Sequence, residues 1–117
     1  MNAQDSIATE AVRTVQPLDH IDIGNAFEFK AGLQELVRRG PTRLVIDLSQ
    51  VQYIDSAGLS ALMAVVNACQ GAGGAIRLCG LQPSVLKIFQ LTRLDEYLPL
   101  AADAAEAQAQ LAAPPPA

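Results

Sequence analysis

An α/β domain built on one central sheet is expected of this chain, and three observations lead there. Short apolar runs of strand length alternate with longer segments whose apolar residues recur every three or four positions, the pattern of a sheet carrying helices on its faces. The 117 residues leave room for one hydrophobic core and no second domain. Half of the residues are hydrophobic, with eight Gly and seven Pro, which suits a folded chain and not a disordered one. Aromatics are scarce, three Phe, two Tyr and no Trp, so Leu, Val, Ile and Ala must fill the core.

Taken in order, residues 1–6 read as a flexible terminus and residues 7–112 as the domain. Residues 7–17 alternate in part, with Val12 and Val15 among polar neighbours, and read as strand. From 25 to 39, Ala26, Phe29, Leu33, Leu36 and Val37 recur at helical spacing while Glu28, Lys30, Gln34, Glu35 and Arg38 fill the other face. Gly40-Pro41 stops that helix, because Gly suits the position past the end and Pro cannot continue it. Residues 43–48 (RLVIDL) are a buried-strand run, followed by a turn over 49–52 and then Tyr53-Ile54. A helix over 57–70 carries Leu59, Leu62, Met63, Val66 and Cys69 on one side and only small groups, Ala57, Ser60, Ala61, Ala64 and Ala68, on another. Residues 71–74 turn into a strand at 75–79. Pro83 opens a helix through Leu91 with Val85, Leu86, Ile88 and Phe89 inward. A last helix is expected over 101–111, and the Pro-rich residues 113–117 as a disordered end.

Charge and composition exclude several functions. A net charge of −4 with eight Lys and Arg argues against direct binding of nucleic acid, which needs clustered cations. The one adjacent pair, Arg38-Arg39, ends a helix, where cations meet the helix dipole favourably. Cys69 and Cys79 are too far apart for a Cys-x-x-Cys motif and read as buried free thiols of a reducing compartment. No secretory signal opens the sequence, and the apolar run 57–69 is too short to span a bilayer, so a soluble cytoplasmic protein without membrane insertion is expected. Nor does an enzyme fit. His20 has no nucleophile or second ligand near it, Ser56 lacks the preceding Gly of a nucleophile elbow, and Gly71-Ala72-Gly73-Gly74 precedes a strand where a dinucleotide-binding loop would precede a helix. No cofactor or metal is implied.

Asp55-Ser56-Ala57-Gly58-Leu59 stands where an extended segment meets a helix. Such a helix start has unpaired N–H groups and a partial positive charge. A Ser or Asp there caps it in any protein, and a phosphoryl group could be held by the same donors. Gly58 is a poor helix former, so something is expected to approach the backbone closely there.

The stretch Leu44-Val45-Ile46-Asp47-Leu48-Ser49, Val51 and Tyr53-Ile54-Asp55-Ser56-Ala57-Gly58-Leu59 resembles the signature of STAS domains, in particular the bacterial anti-sigma factor antagonists. The resemblance continues through Gly73-Gly74, through Gly80-Leu81-Gln82-Pro83-Ser84-Val85 and through Leu91-Thr92-Arg93-Leu94-Asp95. Upstream, His20-Ile21-Asp22 and Asn25-Ala26 fit the family's first loop and helix. It implies a four- to five-stranded, mostly mixed sheet flanked by about four helices. It also implies that the unphosphorylated protein binds an anti-sigma factor that is itself a serine protein kinase, and so frees the sigma factor. The kinase then phosphorylates Ser56 and the pair separates, until a metal-dependent serine phosphatase restores the active form. A partner-binding surface is expected at Asp22, Asn25, Asp55, Ser56, Ala57, Gly58, Ser60, Ala61 and Ala64; for Ala61 and Ala64 the alternative is packing under a neighbouring element. Two departures stand out. Asp19 occupies a position where relatives usually carry Gly, and no Gly or Asn turn splits the N-terminal segment into the family's usual hairpin. A STAS module outside sigma regulation, as a lipid-transport complex subunit, a stressosome component or part of another partner-switching pathway, is the alternative reading. Self-association into a homodimer is left open.

Overall fold

The computed structural model describes residues 12–112. Strand β1 (Val12–Val15) leads through Pro17 into β2 (Asp19–Ile21), then helix α1 (Ala26–Arg38), β3 (Arg43–Asp47), β4 (Val51–Ile54), helix α2 (Ser56–Gly71) and β5 (Ala75–Cys79). Helix α3 (Pro83–Leu91), a single 3-10 turn (Leu94–Glu96), β6 (Leu100–Ala101) and helix α4 (Ala104–Ala112) complete it. Four strands form one sheet in the order β1-β3-β5-β6, and β2 pairs with β4 in a two-stranded ladder beside it. Every ladder among the described residues is parallel. Residues 7–11 of the expected first strand, the expected flexible residues 1–6 and the Pro-rich residues 113–117 lie outside the described residues, as does the question of a preceding hairpin strand.

β3 explains the architecture. Its side chains alternate between two cores, so a continuous apolar run is required. Leu44 and Ile46 join Leu33, Val37, Leu62, Val65, Val66, Val85 and Phe89 beneath α1, α2 and α3, while Val45 faces Cys79, Ala101, Ala107 and Leu111 beneath α4. Leu44, Val45 and Ile46 are all fully buried.

Several boundaries differ from expectation. The turn expected over 49–52 is shorter, and Val51 and Gln52 already belong to β4; Val51 and Ile54 are buried, whereas Gln52 and Tyr53 face outward. The last helix begins at Ala104 rather than Ala101, because Asp103 caps it by accepting from the Glu106 N–H at 2.8 Å. Leu100 and Ala101 instead add β6 to the sheet edge. Asp19 has φ +64°, the left-handed region that Gly occupies without steric cost and Asp tolerates. The backbone there accommodates a shift in the β2–β4 register.

Candidate functional site

Asp55 is the N-cap of α2, with an extended backbone and its Oδ1 accepting the Gly58 N–H at 2.9 Å. Its other oxygen, Oδ2, accepts the Ile23 N–H at 3.0 Å, from the loop between β2 and α1. The Gly58 N–H above all holds the carboxyl below its ordinary value; the N–H groups of Ile23 and Ala57 add to this against a partial desolvation. Asp55 therefore serves the protein's own architecture with both oxygens.

Ser56 follows in the first turn of α2 and is exposed. Among the described residues no hydrogen bond engages its hydroxyl. The capping that a serine could supply comes from its neighbour.

The loop that Asp55 holds is built by two residues expected to face a partner. Asp22 Oδ1 accepts the Gly24 N–H at 2.9 Å, and Asn25 Oδ1 accepts the Asp22 N–H at 2.9 Å. The Asn25 Nδ2 donates to the His20 carbonyl at 2.9 Å. Both side chains are half-buried, closing the turn that starts α1. His20, the chain's only histidine, is exposed on β2.

Two members of the expected surface are not on the surface. Gly58 is buried, and a Cβ added to it would lie 2.0 Å from the Ile21 carbonyl oxygen and 2.7 Å from Ile54 Cγ1. The close approach anticipated at this glycine comes from the protein's own β2 and β4. Ala61 is buried because it faces α1, the helix that packs most extensively on α2. Ala57 and Ala64 are half-buried, and Ser60 is exposed.

What the surface does present was not singled out from the sequence. Ile23 is 82% exposed and Phe27, in the first turn of α1, is 73% exposed. They and Lys30 line one wall of an open groove of about 270 Å³, with Ala57, Ser60 and Ala61 on the opposite side. The small residues of α2 leave the groove open, and the Lys30 ammonium lies 5.7 Å from the Phe27 ring centre. A large apolar side chain in the turn before α1, Ile23, and another off the apolar stripe of α1, Phe27, were the available signal.

Among the described residues no group of three or more His, Cys, Asp or Glu is placed to hold a metal ion. No helix of the described residues is long and apolar enough to cross a membrane.

With this geometry in hand, the STAS domain family model matches residues 5–107. The chain is a STAS domain. It is similar to BtrV of Bordetella bronchiseptica, named as an anti-sigma factor antagonist, with 32% identity over 81 residues that cover 69% of this chain and 70% of that protein. Among solved structures, this STAS domain superposes on an anti-sigma factor antagonist of Thermotoga maritima with a TM-score of 0.80 and 25% identity, each chain covered to 86%. An anti-sigma factor antagonist of Mycobacterium paratuberculosis gives a TM-score of 0.77 and 28% identity, again covering 86% of each chain.

Proposed function

We propose that this STAS domain is a cytoplasmic anti-sigma factor antagonist, whose unphosphorylated form binds a serine-kinase anti-sigma factor and frees the sigma factor. Phosphorylation of Ser56 ends that binding, and a metal-dependent serine phosphatase renews it. One observation carries the reading. Ser56 is exposed at the start of a helix whose cap is supplied by Asp55, so its hydroxyl is available for modification at no cost to the helix. A phosphoryl group there meets the N-terminal end of a helix, which tolerates a dianion, and adds roughly −1.5 to −2 charges beside Asp55. The fold stays, and the surface that the partner reads gains negative charge and bulk. Ile23, Phe27 and the groove beside Ser60 supply the apolar area that such a partner would cover. The names of the similar proteins support the same role.

The test is a titration of the serine-kinase anti-sigma factor from the same genome. The parent binds with ADP present and is released once ATP allows phosphorylation. Ser56→Ala binds and is not released by ATP, and Ser56→Asp binds at least ten-fold more weakly. Equal binding by all three proteins in both nucleotides overturns the reading.

A further inference from the structure

We propose that Asp55 is a positioning residue, its two carboxylate oxygens tying the 22–25 loop to the start of α2 so that Ile23 and Ser56 meet the partner as one preset surface. This rests on the proposed function for the identity of the partner. The tie itself rests on geometry: Oδ1 accepts from Gly58 N in α2 at 2.9 Å, and Oδ2 accepts from Ile23 N in the loop at 3.0 Å. Capping alone does not require this residue type, since Ser or Asn caps a helix about as well as Asp. Only a carboxylate offers two acceptor oxygens, one to each element.

The loop does not depend on Asp55 to form. Its turn is closed by the Asp22–Gly24, Asn25–Asp22 and Asn25–His20 hydrogen bonds. The base of the turn is already brought to α2 by the β2–β4 ladder and by the Asp55 N–H donating to the Ile21 carbonyl at 3.4 Å, so what the Asp55 side chain adds is the placement of Ile23 relative to the helix bearing Ser56. The residue whose N–H it holds, Ile23, is 82% exposed, so its side chain contributes almost nothing to the core. Fixing the backbone of an exposed apolar residue beside an exposed hydroxyl is explained by a surface kept ready for a partner, because a preset surface avoids the entropy of ordering on binding.

Asp55→Ser separates the two roles, since it keeps a capping oxygen on a side chain too short to reach Ile23. Asp55→Asn retains one acceptor oxygen and provides a second, independent variant. The expected result for Asp55→Ser is a melting temperature close to the parent's and amide hydrogen exchange at Ile23 at least ten-fold faster. Affinity for the serine-kinase anti-sigma factor falls at least ten-fold, with the KM for phosphorylation of Ser56 raised and kcat little changed. Unchanged exchange at Ile23 in both variants overturns the tie. Faster exchange with unchanged affinity and KM overturns the positioning role. If the parent itself neither binds the kinase nor is phosphorylated, the functional reading fails and takes the partner half of this proposal with it, while Ile23 exchange still decides the tie.

Discussion

At Gly58 a single methyl group has nowhere to go. The Ile21 carbonyl would lie 2.0 Å from it, and that carbonyl is backbone, which cannot swing aside as a flexible side chain could. Gly58→Ala is therefore expected to push β2 off the first turn of α2 and to destabilise the domain by about 1–3 kcal/mol, as overpacking does. A lowered urea midpoint with an unchanged m-value would show it, and a parent-like midpoint would disprove it. The need for close approach at this glycine was legible in the sequence, because a poor helix former inside a helix asks for a reason; that the approaching group is internal was not, because it comes from a segment far away in the chain. The role of Asp55 was half legible in the same way. Capping follows from its place before a helix, but its bond to Ile23 depends on how β2 and α2 lie together. Asp19 shows a third case, in which a residue standing where relatives carry Gly does take up the left-handed backbone.

Among the elements, α2 shows most clearly what periodicity can and cannot say. Leu62 and Val66 were expected inside and are buried; Leu59 and Met63 are half-buried, and the fully buried Val65 was not anticipated. A helix packed against both α1 and the sheet buries a wider arc than a single stripe. Leu62 is fully buried within that arc, so Leu62→Ala is expected to cost about 2–5 kcal/mol in chemical denaturation. A loss under about 0.5 kcal/mol would contradict its burial, since that is the usual range for changes at the surface. The strands were less legible than the helices. β4 spans only four residues, pairs through three of them and follows turn-forming Ser49-Gln50, and β6 pairs through two, so neither is long enough to leave a pattern of its own. In α1 the buried stripe of Ala26, Leu33 and Val37 has helical spacing, whereas Phe27 lies off that stripe and is exposed, so core periodicity carries no signal for it.

For the molecule as a whole, the sheet divides the interior into two unequal cores, and Cys79 lies in the smaller one. Burial, with the nearby carboxylates of Asp47 and Asp103, pushes its thiol from about 9 up to about 11. The folded protein thus keeps its proton at a pH where the unfolded chain releases it. Below about pH 9 this group leaves stability unchanged, and between about 9 and 11 it lowers stability as pH rises. Cys79→Ala removes that contribution, so its stability should fall less steeply than the parent's across this window in parallel denaturation series. Identical slopes would show that the thiol titrates normally. The α/β class and the alternation of elements were legible because each helix and the central strands carry their own periodicity. The division into two cores was not, since it depends on which face of β3 each helix covers.

The parallel ladders also govern the time course of assembly. Among the described residues no two paired strands form a local hairpin, so each of these ladders waits for an intervening crossover, and such non-local pairing is slow. On the ribosome the wait is unequal for the two faces of β3. Helices α1 and α2 are made before or soon after their side of the strand, but Val45 and Cys79 stay uncovered until Ala107 and Leu111 have been synthesised. At about 5–20 residues per second, roughly two to seven seconds separate the completion of β5 from that of α4. During this interval the nascent chain exposes one apolar side of a nearly finished sheet, which makes its vulnerability to aggregation a property of the last stretch of synthesis.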